Sequence, residues 1–117
     1  MIDYSKGKIY AVKNNETDAI YIGFTTMDLS DRFKRHQCDV KCDLFKYVKI
    51  YNNEDWSKYN IELLQNAECR SRKELKMLQE AKINELKNSD DIIINQMIKY
   101  MKEEENITKI KKKNVLQ

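Results

Sequence analysis

The stretch "AIYIGFTTMDLSDRFKRH", residues 19–36, decides the fold of this chain. Its first six residues, 19–24, are rich in β-branched and aromatic side chains and predict a strand. Side chains alternate between the two faces of a strand, so Tyr21 and Gly23 share one face. A glycine inside a strand weakens it unless something approaches closely. The remainder of the stretch predicts a helix that begins between residues 26 and 28.

The predicted helix brings charged groups close to that strand. Thr25 and Asp28 have the spacing of a capping box, with Asp in place of the usual Glu. Arg32 and His36, the only histidine of the chain, are four residues apart and share a helix face. Free N–H groups at a helix start, together with a guanidinium, suit a phosphate. The stretch therefore predicts a concave, positive, phosphate-sized site; an ordinary strand aromatic beside a solvated helix face is the alternative interpretation.

The other elements follow from hydrophobic periodicity. They are a strand at 8–13, a polar turn, a helix at 43–53, a strand at 56–65 and a helix at 71–91. Ser71 and Glu74 are expected to cap the helix at 71–91. The residues of this helix predicted to be buried are Leu75, Leu78, Ile83 and Leu86. The composition of 43–53 also suits a strand, and apolar residues 92–101 suit either element. The lone Trp56 is expected in the core. This order predicts an α+β fold, a small three-stranded antiparallel sheet flanked by helices.

Length and composition narrow the class of protein. The 117 residues fit one small domain, and 41% hydrophobic with 35% charged residues is polar but not disordered. We expect the compact domain to cover residues 1–96 and a helical, basic tail to cover 97–117. No apolar run is long enough for a membrane span, and the N-terminus lacks a signal-peptide core. The chain is therefore expected to stay inside a cell and not to be secreted.

The three cysteines leave two interpretations open. Cys38 and Cys42 lie near His36, and Cys69 completes a zinc site only if the fold brings it close. The alternative is that all three are free, partly buried thiols. An odd number of cysteines without a secretion signal argues against a disulfide framework.

Charge is concentrated rather than large. The net charge is +3, with basic clusters in "KGK" (6–8), "RFKRH" (32–36) and "KIKKK" (109–113). Such clusters are typical of contacts with a nucleic-acid backbone, and equally of solvated surface lysines.

Two tripeptides identify a family resemblance. "KIY" at 8–10 and "YIG" at 21–23, at this separation, resemble the GIY-YIG nuclease family. The resemblance runs from residue 8 to residue 95 and continues through "FTTMDLSDRFKRH", the strand near Trp56, "KELKMLQEAKI" and "IIINQ". In order along the chain, Arg32, Glu80 and Asn95 match the family's arginine, glutamate and asparagine. The sequence departs from the family at Lys8, which replaces the first glycine, and at Phe24, where some relatives have lysine.

The resemblance implies the catalytic residues of a DNA endonuclease. Such enzymes cut a phosphodiester with one divalent metal, Mg²⁺ or Mn²⁺, which Glu80 would hold. Tyr10 and Tyr21 would flank the scissile phosphate, and Arg32 would stabilise its charge. A phenol with a pKa near 10 is a poor base, so His36 would accept a proton or bind phosphate.

The resemblance also implies the surroundings of the reaction. Lys8, Gly23, Arg35 and Asn95 would contact or brace the DNA phosphate, and Lys34 is a further candidate cation. The products would be a 5′-phosphate and a 3′-hydroxyl. The closest types are homing and structure-selective endonucleases, including those of DNA repair. With no targeting domain in view, we expect low sequence specificity, a homodimer or a targeting partner.

Two other functions stay open at this stage. One is a non-catalytic nucleic-acid-binding module of the same fold. The other is an interaction protein whose helical tail pairs with another chain through Met97, Met101 and Ile110.

Overall fold

A four-stranded sheet forms the centre of the computed structural model, which describes residues 2–87 and 89–99. The strands lie in the order β3-β1-β2-β4. Their bounds are β1 Lys8–Asn14, β2 Ala19–Thr25, β3 Tyr59–Asn66 and β4 Ile92–Ile93. β1 pairs antiparallel with both β2 and β3, and β4 pairs parallel with β2. The predicted α+β fold is confirmed, with one strand more than expected because 92–93 extend along β2 before 94–99 turn helical.

In the described part of the chain, besides the helical residues 94–99, three α-helices and a short 3-10 helix surround this sheet. They are the 3-10 helix Tyr4–Lys6, α1 Leu29–Cys38, α2 Asp43–Asn52 and α3 Arg72–Leu86. The helical interpretation of 43–53 is thus confirmed. The predicted helix 71–91 ends early because the backbone N–H and hydroxyl of Ser89 both donate to the Leu86 carbonyl.

The helix caps agree with the sequence in one case and differ in the other. At α3 the Ser71 side chain accepts from the Glu74 backbone N–H, as a capping box requires. The capping box expected at Thr25 is wrong, because that hydroxyl accepts from the Met27 N–H inside the turn after β2. Asp28 takes the cap position of α1 without a side-chain hydrogen bond.

Apolar side chains cover both faces of the sheet. Tyr10 and Val12 face α1, α2 and residues 94–99, and a cluster of aromatics that includes Trp56 packs there. Ile9 and Ile22 face the opposite way, against α3. Tyr21 packs on the first side, so the predicted alternation along β2 is confirmed.

The outer edge of β2 is completed by side chains where β4 stops. β4 pairs only with Ala19 and Ile20. Beyond it, the N–H of Ile22 donates to Oδ1 of Asn95 at 2.9 Å, and Nδ2 of Asn95 donates to the Ile22 carbonyl at 2.8 Å. Nε2 of Gln79 donates to the same carbonyl at 2.9 Å. Two amide side chains therefore replace the missing part of the ladder.

The predicted tail lies mostly outside the described residues, which end at residue 99. Within them, Ile98 is buried and the partly buried Met97 packs against the core beside α1 and α2. Met101 and Ile110 lie outside the described residues. No helix in the described part of the chain has the length and apolar character needed to cross a membrane.

The amide of Asn95 gives the first testable prediction. Asn95→Ala removes both hydrogen bonds to Ile22; the Ile22 carbonyl keeps Gln79, but the Ile22 N–H loses its partner, which costs about 1–3 kcal/mol of unfolding free energy. Gln96→Ala, at an exposed neighbouring position, is the matched control and is expected to change little. Urea unfolding measures both variants; equal stability of the two would contradict this role for Asn95.

Candidate active site

A cleft of about 620 Å³ opens beside the Gly23 end of β2. It is lined by side chains from β2, α1 and α3, among them Tyr21, Arg32, Arg35, Arg72 and Gln79. The sequence prediction of a concave, positive site next to Gly23 agrees with this geometry. From α3 the sequence predicted a contribution by Glu80, whereas the α3 side chains that line the cleft are Arg72, Leu75 and Gln79.

Gly23 is what allows Tyr10 to sit under this cleft. Tyr10 on β1 pairs directly with Gly23 on β2, and the Tyr10 ring lies across the glycine backbone. A Cβ at residue 23 would overlap the carbon and the oxygen at the hydroxyl end of that ring. A glycine is therefore required here by close approach of a side chain.

A chain of hydrogen bonds runs from the cleft into the interior. Nε of Arg32 donates to the Tyr10 hydroxyl oxygen at 3.2 Å, and that hydroxyl lies 2.6 Å from Nε2 of His36. Nδ1 of His36 lies 3.0 Å from Sγ of Cys42. Tyr10 is fully buried, and its proton needs an acceptor, which His36 Nε2 supplies. The proton of the imidazole is then on Nδ1, donated to Cys42.

Burial sets the protonation states of these groups. Burial raises the pKa of Tyr10, and the nearby Arg32 opposes that rise without cancelling it. Burial also raises the pKa of Tyr21 well above its usual range, with the neighbouring Tyr10 adding to it. Burial and the charge of Arg32 lower the pKa of His36 to about 4. At neutral pH both phenols and the imidazole are therefore neutral.

The charge of the cleft comes from three guanidinium groups. Arg32 is held through its Nε by Tyr10, which leaves the terminal nitrogens without a partner among the described residues. Arg72 lies over the Phe24 ring, 5.5 Å from its centre. Arg35 is exposed on the next turn of α1 beside Met27. Guanidinium groups bind phosphate oxygens through paired hydrogen bonds, so the cleft is suited to a phosphodiester.

Glu80, the expected metal ligand, is not placed in the cleft. Its side chain is exposed on α3, and the adjacent Gln79 lines the cleft instead. Gln79 lies seven residues after Arg72 and four after Leu75, which puts all three on one helix face; Glu80 is about 100° further round. The sequence already contained the signal for this placement. Leu75, Leu78 and Leu86 define the face of the helix that packs on the sheet, and the position of Gln79 or Glu80 relative to that face follows from helical spacing.

Three other expected residues are also not among those that line the cleft. Lys8 donates from Nζ to the carbonyls of Lys6 and Met27, so it braces the turn after β2. Asn95 has its amide engaged with Ile22, the residue between Tyr21 and Gly23, and is not among the lining residues. His36 lies behind the tyrosines, with its ring edge-on to Tyr21 at 5.5 Å between centres.

The cysteines do not converge on a zinc site. Cys69 is buried on the α3 side of the sheet, whereas His36 contacts Cys42 on the other side. Cys38 is exposed. Sequence reasoning missed the role of Cys42 as a hydrogen-bond partner, because only the path of the chain between α1 and α2 brings it to the imidazole.

Comparison with known families agrees with this fold. Residues 6–113 match the GIY-YIG catalytic domain, so the chain belongs to the GIY-YIG family. The family is one of nucleases, so the fold of this chain is a nuclease fold.

Two relatives come from Invertebrate iridescent virus 6. The chain is 31% identical over 83 residues to "Uncharacterized protein 019R", covering 68% of this chain and 29% of that protein. It is 33% identical over 79 residues to "Putative MSV199 domain-containing protein 146R", covering 64% and 31%. The matched region thus spans under a third of each relative. No solved structure matches the chain significantly.

The divalent metal associated with the family does not fit the residues of this cleft. Mg²⁺ and Mn²⁺ prefer oxygen ligands, usually with at least one carboxylate. No Asp or Glu side chain is among the described residues that line the cleft, and three arginines are. The chemistry of the donor set favours an anion.

The lowered pKa of His36 predicts a pH effect on stability. The unfolded histidine binds a proton below about pH 6.5, whereas the folded one stays neutral to about pH 4. Unfolding therefore takes up a proton in this window, and stability falls as pH drops from 6.5 towards 4, by about 2 kcal/mol at pH 5. Urea unfolding at pH 7, 6 and 5 measures this.

The control for that effect is His36→Phe, which fills the site and cannot titrate. Its unfolding free energy is expected to be lower at pH 7 but to vary less with pH than that of the wild type. Parallel curves for the two proteins would show that His36 has an ordinary pKa.

Proposed function

We propose that this chain is a DNA endonuclease domain that hydrolyses a backbone phosphodiester in the arginine-lined cleft. The observation that carries the proposal is the hydrogen-bonded chain from Arg32 through Tyr10 to His36. It links a cation that faces the cleft to a phenol and a neutral proton acceptor. Family membership supports the reaction class.

Arg32 binds and stabilises the phosphate. Arg32 lines the cleft while its Nε donates to Tyr10, and this hydrogen bond fixes the plane of the guanidinium. Charge that builds on the phosphate oxygens in the transition state meets a donor group already oriented for it. Arg35 and Arg72 hold the flanking backbone.

Tyr10 moves the proton, and Tyr21 positions the water. Tyr10 is a weak base at neutral pH, but it accepts a proton from the attacking water while its own proton passes to Nε2 of His36. The water oxygen bonds to phosphorus, the bond from phosphorus to the 3′-oxygen breaks, and the 3′-oxygen takes a proton from solvent. Cys42 accepts from Nδ1 and keeps Nε2 available. Since Tyr10 is fully buried in the free protein, DNA binding has to open the Tyr10 hydroxyl to water.

The cleft favours low sequence specificity. Its cationic groups are suited to phosphate oxygens, and phosphate contacts position DNA without reading its bases. We propose products with a 5′-phosphate and a 3′-hydroxyl, as in the family, and targeting of particular DNA by structure, by a second copy or by a partner.

A second function is favoured by two observations on the same cleft. The absence of a lining carboxylate among the described residues and the sealed Tyr10 hydroxyl both suit a module that binds DNA without cutting it. The two functions share their DNA contacts and differ only in turnover.

A nicking assay on supercoiled DNA distinguishes them. The wild type is expected to convert supercoiled plasmid to nicked circles, and Arg32→Ala to lower the rate by about 10²–10³-fold through lost charge stabilisation. The matched control is Lys58→Ala, which removes a surface cation that pairs with Glu16 near the β1–β2 turn, outside the cleft lining.

The outcomes separate the two candidates. Equal rates for the Lys58→Ala variant and the wild type, with a large loss for Arg32→Ala, support the endonuclease, and labelling of the new ends identifies the products. DNA binding without nicking in any buffer selects the binding module. Nicking that Arg32→Ala leaves intact would rule out this cleft as the site.

A further inference from the structure

We infer that this cleft holds a DNA phosphate with guanidinium groups alone, without a divalent cation, and that Gln79 occupies the position from which α3 would otherwise present a metal-binding carboxylate. The inference rests on the proposed function, since it concerns how the same cleft binds DNA.

The position of Gln79 is fixed by the helix on which it lies. Arg72, Leu75 and Gln79 line the cleft from successive turns of α3. Leu75 is buried against the sheet, which fixes the rotation of the helix about its axis. Glu80 is exposed on the flank of α3, and bringing it into the cleft would turn Leu75 out of the core.

The amide of Gln79 is also chemically matched to its partner. Its Nε2 donates to the Ile22 carbonyl, between the two cleft residues Tyr21 and Gly23. An ionised carboxylate has no proton to donate, so a glutamate at this position would lose the bond and face a carbonyl oxygen. Its carboxylate would then turn towards the open cleft.

Electrostatics favours the phosphate over the cation. Arg32, Arg35 and Arg72 line one cleft, and no acidic side chain lines it among the described residues. A divalent cation placed there is repelled by three positive groups, whereas a phosphodiester is attracted by all three. The cleft therefore takes up the anion with the neutralising charge already in place.

Binding of a fluorescent DNA duplex, measured by anisotropy, tests this inference. It compares EDTA with Mg²⁺ at matched ionic strength for three proteins: the wild type, Glu80→Gln and Gln79→Glu. The wild type is expected to bind in EDTA at least as tightly as in Mg²⁺, because Mg²⁺ itself competes for DNA phosphates. Glu80→Gln is expected to match the wild type within about twofold in both buffers.

Gln79→Glu is expected to reverse this pattern. A carboxylate in the cleft repels the phosphate, so affinity in EDTA falls about tenfold, and Mg²⁺ restores part of it by bridging the two anions. Circular dichroism melting checks that this variant folds. If it does not fold, the wild type and Glu80→Gln decide the question by themselves.

The possible failures are distinguishable. Wild-type binding that needs Mg²⁺ would overturn the inference and leave the proposed function standing. If Mg²⁺ then no longer strengthens DNA binding by the Glu80→Gln variant, Glu80 is the metal ligand. Absence of DNA binding in both buffers would overturn the proposed function and the inference together.

Discussion

The hydroxyl of Tyr10 is the group on which the rest of the site depends. It lies at the centre of the domain, accepts from Arg32 and contacts His36, while its ring lies across Gly23. A buried phenol needs both its hydrogen bonds satisfied, so α1 has to pack with Arg32 and His36 on the side facing the sheet. The pairing of β1 with β2, the glycine and the orientation of α1 are thus coupled through one oxygen atom.

This coupling explains why the cleft is positive. Tyr10, Tyr21 and His36 are held neutral by burial, so they add no charge of their own at neutral pH. The charged groups that line the cleft are therefore the arginines, and the hydrogen bond to Tyr10 fixes the orientation of Arg32. A surface of this kind is suited to the repeating charge of a nucleic-acid backbone, and in the proposed mechanism the buried part of the chain of hydrogen bonds carries one proton.

Much of the fold follows from local patterns in the sequence. Alternation in "KIYAVK" and "AIYIGF" places Tyr10 and Tyr21 on one face of adjacent strands, and helical spacing places Arg32 near His36. The fourth strand has only two residues, too few for a periodic pattern to reveal. Thr25 was misassigned because its hydroxyl has two competing local partners, and the turn to Met27 is the one it makes.

The site was predictable in part, for an equally physical reason. The sequence shows which residue types are present. The rotation of α3 about its axis, however, is decided by the packing of Leu75 on the sheet, and this rotation places Gln79 rather than Glu80 in the cleft lining. Asn95 was expected to brace the site or to hold phosphate; its bonds to Ile22 arise because β4 stops short, which is a tertiary feature. The contact of Cys42 with His36 likewise depends on how α2 follows α1.

The proton position on His36 tests the central claim most directly. The chain contains one histidine, so nitrogen-15 NMR of the imidazole reports on this residue without assignment. The account predicts a neutral ring at pH 7 with its proton on Nδ1, because Tyr10 donates to Nε2 and Cys42 accepts from Nδ1. A proton on Nε2, or a ring that is charged at pH 7, would contradict the direction of the hydrogen-bond chain on which Arg32 and the cleft depend.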